Sequence, residues 1–156
     1  MTVLPKNTRR VLVVDDEPTI RDLIADALRE AGYETRTAAN GVEGLQILRR
    51  WLADTIVLDL MMPRLDGLGF VQLLRLNPRL ASVPVLLVTA AYGPMEAARR
   101  AGAQAVLTKP FELDALVEMV QQLAGAPPPV ADAHIASETR VRARRQLTGE
   151  LASGDS

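Results

Sequence analysis

Val11-Leu12-Val13-Val14-Asp15-Asp16 is a run of four unbroken apolar residues that ends on two acids. So short and continuous a run suits a strand buried on both faces of a parallel sheet. The form recurs along the chain. Ile56–Leu58 leads into Asp59, Val85–Val88 into Thr89, and Val106–Leu107 into Thr108-Lys109-Pro110. In open parallel sheets ligands bind outside the carboxyl ends of the strands. Asp15, Asp16, Asp59, Thr89 and Lys109 are therefore expected to share one pocket.

Between these runs the apolar period changes to that of a helix. Ile20, Leu23, Ile24, Ala27, Leu28 and Ala31 make a helical stripe that Gly32 stops. Tyr33–Ala38 alternates in the manner of an edge strand. Asn40-Gly41 opens a second helix, expected to run to about Leu52, and Asp54–Asp59 is the third strand. Pro63–Gly67 reads as a loop and Leu68–Leu76 as a third helix, with Arg75 on its surface, ended by Asn77-Pro78. Pro94–Ala101 is predicted as a short fourth helix before Gly102. Ala105–Thr108 is the fifth strand, and Glu112–Ala124 the last helix. Repeated strand–helix units imply right-handed crossovers, hence a doubly wound α/β fold around a parallel sheet.

The whole chain has 156 residues, enough for one well-packed domain. A net charge of −1 gives no broad attraction for nucleic acid or anionic membrane, so neither is an expected partner. The absence of cysteine excludes disulfides and thiolate metal sites. No apolar run reaches the roughly 18 residues of a membrane span. The cytoplasm is the expected compartment. Gly125-Ala126-Pro127-Pro128-Pro129 marks the end of the domain, giving a domain over 9–124. Residues 125–156 read as a Pro-rich linker and a polar, flexible tail in which His134 and the Arg140–Arg145 cluster are solvated.

The expected pocket would hold three carboxylates, a hydroxyl and an ammonium. Like charges crowded in a partly dry crevice demand a proton or a cation. An all-oxygen donor set favours Mg²⁺, with Mn²⁺ as a substitute, over Zn²⁺. Lys109 offers a point charge to an anion that the metal also touches, and Thr89 a hydroxyl for a phosphoryl oxygen. Taken singly, each residue has a bland reading: Asp15-Asp16 before a helix could be ordinary N-capping, and threonine is common at strand ends. Their recurrence at equivalent strand ends favours phosphoryl chemistry.

These residues resemble the receiver domain of two-component response regulators. The likeness rests on Val13-Val14-Asp15-Asp16-Glu17, on Asp59 followed by Met62-Pro63 and Asp66-Gly67, on Thr89-Ala90, and on Thr108-Lys109-Pro110-Phe111. It covers about residues 9–124 and implies a flavodoxin-like, five-stranded sheet of order 2-1-3-4-5. It further implies that Asp59 is the phosphoacceptor and that Asp15, Asp16, Asp59 and the backbone carbonyl of Met61 hold Mg²⁺. Thr89 and Lys109 would be the switch hydroxyl and the phosphoryl-pairing lysine, with a cis Lys109–Pro110 bond.

A sensor histidine kinase or histidine phosphotransfer protein is then the expected donor and a further protein the target, with homodimerisation left open. Such a domain catalyses only its own phosphorylation and dephosphorylation and is not otherwise an enzyme. Without an output domain a stand-alone regulator is expected. The alternatives are a phosphorelay intermediate and a phosphorylation-independent interaction module of the same fold. Two features depart from the family pattern. Val106 stands where Tyr or Phe is usual, with Tyr92 as a substitute aromatic, and the stretch from Thr89 to Gly102 is short, trimming the fourth helix.

Overall fold

The structure is a computed structural model, and it describes residues 8–62, 65–89 and 102–124. The strands are β1 (Arg10–Val14), β2 (Glu34–Ala38), β3 (Thr55–Asp59), β4 (Val85–Thr89) and β5 (Ala105–Thr108). The described helices are α1 (Pro18–Glu30), α2 (Gly41–Leu48), α3 (Gly67–Leu76) and α4 (Leu113–Ala124). All pairings are parallel and the order is β2-β1-β3-β4-β5. This is the doubly wound, flavodoxin-like arrangement expected. The predicted Pro94–Ala101 helix, Tyr92 and the 125–156 tail lie outside the described residues.

Continuous apolar runs are needed because each strand serves two cores. Leu12, Val14, Ile56, Leu58, Val85 and Leu87 point to one face, where Leu48, Phe70, Val71 and Leu74 of α2 and α3 cover them. Val11, Val13, Val57, Leu86 and Val88 point to the other, against Ile24 and Leu28 of α1 and Leu116 and Val120 of α4. Successive side chains of a strand take opposite faces, so the middle of β1, β3 and β4 is apolar on both faces and polar residues (Arg10, Thr55, Asp59, Thr89) stand only at their ends.

Helix starts follow capping chemistry. Asn40 accepts from the Glu43 N–H at 2.9 Å and Asp66 from the Gly69 N–H at 2.7 Å, satisfying donors that the first turns leave open. Pro18 stands in the first turn of α1, where its missing N–H costs nothing.

Two expectations are corrected here. α2 ends at Leu48 rather than at about Leu52. The N–H groups of Arg50 and Trp51 both turn back to the carbonyl of Ile47, which delivers Trp51 into the core. Its indole is 3% exposed, donates to Glu34 Oε1 at 3.3 Å, and meets the guanidiniums of Arg10 and Arg36 at 5.5 and 5.0 Å from its centre.

Arg75, second, is not an idle surface residue. Its guanidinium donates to the carbonyls of Ala81, Val83 and Gly102 at 2.9, 2.8 and 2.6 Å, and to Gln104 Oε1 at 2.9 Å. It thus ties α3 to the segments that enter β4 and β5. Gly102 has a φ of +104°, and a Cβ there would lie 2.9 Å from Arg75 Nε, so glycine is required on both counts.

Candidate functional site

The carboxyl ends of β1, β3, β4 and β5 converge, and the chain leaves each on a polar residue. Asp15 follows β1, Asp59 and Thr89 close β3 and β4, and Lys109 follows β5. Register explains the convergence. Val14 lies opposite Leu58, Asp59 opposite Val88, and Thr89 opposite Thr108, so the four strands stop nearly level. The Lys109 N–H donates to the Thr89 carbonyl at 2.7 Å, carrying the β4–β5 ladder one residue further. The Lys109–Pro110 peptide bond is cis.

Oxygen atoms of Asp15, Asp16 and Asp59 all lie within 4.8 Å of one another. Asp15 and Asp59 are buried and Asp16 is exposed, so the cluster has a dry floor and an open mouth. Lys109 Nζ stands 3.7 Å from Asp59 Oδ2. The other Asp59 oxygen accepts the Met61 N–H at 3.1 Å, and Asp15 Oδ1 accepts the Glu17 N–H at 2.9 Å.

Burial pushes both carboxyls above the ordinary carboxylate range. For Asp59 the Met61 N–H and the Lys109 charge oppose that rise, while Asp15 and Asp16 reinforce it. For Asp15 the Glu17 N–H and Lys109 oppose it and Asp16 and Glu17 add to it. The folded protein therefore binds these protons more tightly than the unfolded chain. Stability falls as pH rises from the ordinary carboxylate value through the raised ones, and above that window the ionised cluster is a standing cost.

A divalent cation would remove that cost. The donors are all oxygen, mutually close and open to water on one side, which suits an ion such as Mg²⁺ that keeps several waters. The residues present fit the ion that their chemistry suggested.

Every residue expected in the pocket except the carbonyl of Met61 can be followed to the carboxyl end of the sheet by its strand. Met61 takes part through its N–H, and its side chain is 71% exposed.

Three contributors had no role assigned to them by the sequence. The Arg21 Nη1 donates to the Asp15 carbonyl at 3.1 Å and holds the acidic loop from α1. The Glu17 N–H steadies Asp15 and is a backbone group, invisible to any pattern of side chains. Gly67 donates its N–H to the Leu60 carbonyl at 2.9 Å, and a Cβ on it would lie 2.7 Å from Leu60 Cα. The loop that follows Asp59 is thus clamped against the start of α3, and the Asp66-Gly67 pair was the available signal.

Comparison with known proteins agrees with the geometry. The family described as response regulator receiver domain matches residues 11–121. A probable chemotaxis protein CheY of Rhizobium etli is 35% identical over 121 residues, which is 75% of this chain and 93% of that protein. The DNA-binding dual master transcriptional regulator RpaA of Synechocystis is 37% identical over 116 residues, 73% of this chain but 48% of RpaA. The chain thus spans about half the length of some relatives and nearly all of another.

Among solved structures, the Vibrio cholerae chemotaxis protein CheY4 is 33% identical at a TM-score of 0.71, covering 74% of this chain and 98% of CheY4. The receiver domain of the sensor histidine kinase PA1611 of Pseudomonas aeruginosa carries a magnesium ion coordinated in its active-site cleft. It is 29% identical at a TM-score of 0.70, over 76% of this chain and 98% of that one. Matched in sequence and in fold over most of its length, the chain belongs to the response regulator receiver domain family.

Proposed function

We propose that this receiver, over residues 9–124, accepts a phosphoryl group on Asp59 from the phosphohistidine of a sensor kinase or histidine phosphotransfer protein. In this reading Mg²⁺ is held by Asp15, Asp16, Asp59 and the Met61 carbonyl, and the signal passes on by protein–protein contact in the cytoplasm. The observation that carries the reading is Lys109 Nζ at 3.7 Å from Asp59 Oδ2, beside two more carboxylates. No helix among the described residues is long and apolar enough to cross a membrane.

Asp59 acts as the nucleophile. Its carboxylate oxygen forms the new O–P bond as the P–N bond of the donor breaks. The Met61 N–H holds Oδ1, which fixes the carboxylate plane and leaves Oδ2 on the side of Lys109. Lys109 neutralises charge on the transferring oxygens, and the Thr89 hydroxyl donates to the group once attached. A bound Mg²⁺ would supply further charge neutralisation at those oxygens, so catalysis is positioning and electrostatics. The acyl phosphate adds about −1.5 to −2 charges, by analogy with other phosphorylated side chains, enough to bias the Thr89 hydroxyl toward the new acceptors. The test is incubation with a small-molecule phosphodonor and Mg²⁺. A gain of one phosphoryl group by intact mass is expected, and an unchanged mass overturns the proposal.

Metal binding should be visible in stability. Saturating Mg²⁺ or Mn²⁺ is expected to stabilise the fold by roughly 1–3 kcal/mol, following RT ln(1 + [L]/Kd). Asp16→Asn should remove most of that gain, and the gain should shrink as pH falls into the window where Asp15 and Asp59 take up protons. Thermal melts with and without metal check this; coincident melts at neutral pH would discard the metal assignment.

Phosphoryl lifetime follows from what flanks Asp59. Hydrolysis needs a water placed in line, and the side chain two residues after the acceptor is the thioether of Met61, a weak acceptor and no donor. Slow self-dephosphorylation is expected. Met61→Asn or Met61→Glu should change the decay rate severalfold, while Gln72→Ala, at an exposed position of α3, should leave it alone. Decay followed after donor removal decides; a half-life of seconds in the unsubstituted protein would refute the argument.

A further inference from the structure

Charge is segregated in this chain. From Gly44 to Ala53 and from Gly67 to Thr89 there is no Asp or Glu, and the only charged side chains are Arg49, Arg50, Arg75 and Arg79. Arg75 is consumed by its carbonyl partners. Arg49, Arg50 and Arg79 are exposed, and none of the three appears in an ion pair among the described residues. The same stretches carry exposed leucines: Leu52 is 46% exposed, Leu73 44% and Leu76 79%.

Arg49, Arg79 and Leu73 meet in one groove. Between α2 and α3 lies a depression of about 240 Å³ walled by Leu45, Leu48, Leu73 and Leu80, with Arg49 and Arg79 beside them. Leu48 and Leu80 are buried and floor it, while Leu73 stands proud.

We propose that this groove docks an amphipathic, acid-bearing helix of a partner protein. An apolar trough takes the leucine-type anchors that a helix presents at i, i+3, i+4 and i+7, and the flanking arginines pair with acids on either side of that stripe. Charge complementarity selects this occupant over the alternatives. A second copy laid on the same face would set arginine against arginine. Nucleic acid needs more phosphate contacts than three arginines supply, since even a moderate footprint makes about 6–10 of them. A bilayer surface would leave the concavity unfilled. None of the groove residues belongs to the acidic pocket, so the proposal stands independently of phosphorylation.

The test uses the full chain, isotope-labelled, and a synthetic peptide of about 18 residues with leucines at i, i+3, i+4 and i+7 and glutamates between them. Saturable binding is expected, with amide shifts confined to α2, α3 and the Asn77–Leu80 turn. Affinity should drop tenfold or more for the Arg49→Glu/Arg79→Glu variant, for Leu73→Asp, and for a peptide with lysine in place of glutamate. Both sets of variants change exposed positions, and circular dichroism verifies their folding. The proposal is overturned by failure to saturate, by shifts mapping elsewhere, or by variants that bind unchanged. Stronger perturbation of the same amides by phosphatidylserine vesicles or a DNA duplex, or self-association through Leu73, overturns it as well.

Discussion

Asp59→Asn is expected to abolish phosphorylation by any donor while making the metal-free protein more stable. The amide is nearly isosteric and can still accept the Met61 N–H, so the loop keeps its shape. It has no nucleophilic charge, and its loss should reduce phosphoryl uptake below detection by intact mass. The stability effect has the opposite sign. Asp59 is 6% exposed and faces Asp15 and Asp16, so its ionised form repels two neighbours in a poorly solvated place. Even after Lys109 is counted, removing that charge should add about 2–4 kcal/mol at neutral pH, from two repulsions less one attraction of about 3–4 kcal/mol each at roughly 4–5 Å in an effective dielectric near 20. The gain should vanish as pH falls through the raised carboxyl values, because the aspartate then neutralises itself. Urea denaturation of both proteins at neutral and acidic pH tests this; full phosphorylation of the asparagine variant would show that Asp59 is not the acceptor.

Gly67→Ala carries the largest structural penalty expected outside the core. The added methyl would sit 2.7 Å from Leu60 Cα and 3.0 Å from the Asp59 carbonyl oxygen, and neither atom belongs to a side chain that can turn away. Relief requires the backbone after β3 to shift, at about 2–3 kcal/mol, the upper part of the usual range for overpacking because both neighbours are backbone. The shift falls on the two residues that lead from Asp59 to Met61, so Mg²⁺ affinity should fall with stability. Gly69→Ala is the matched control: its methyl would meet the flexible Leu65 side chain at 3.0 Å, and the effect should be smaller. Denaturant midpoints and metal titrations of the pair decide. Equal midpoints for the two variants would mean that the close approach at Gly67 is not limiting.

Much of the fold was legible because the strands are unambiguous. Val11–Val14 and Val85–Val88 can be little else, and each hands over to a polar residue at the same end. The strand order came with the family resemblance and not from periodicity. α2 was overextended because Arg49-Arg50-Trp51-Leu52 is compatible with helix; what ends it is the pull of Trp51 toward Glu34, 17 residues away. Arg75 looked like solvent-facing charge, and its partners lie up to 29 residues further on, beyond any local pattern. In the candidate site the charged side chains declared themselves. The backbone donors of Glu17 and Met61 did not, since every residue but proline owns an N–H and only the folded geometry says where it points.

The indole clasped between Arg10 and Arg36 has an optical consequence. Trp51 is the sole tryptophan, and its partners Arg10 and Glu34 stand paired at the amino ends of β1 and β2, away from the carboxyl ends that carry Asp59. Its emission is thus a gauge of how the sheet's outer corner is assembled, and it is blind to what occupies the acidic crevice. A dim or red-shifted spectrum reports a loosened corner. A fluorophore meant to follow ligand arrival at the crevice must be introduced elsewhere, and the outward-facing position of Met61 offers the shortest line of sight.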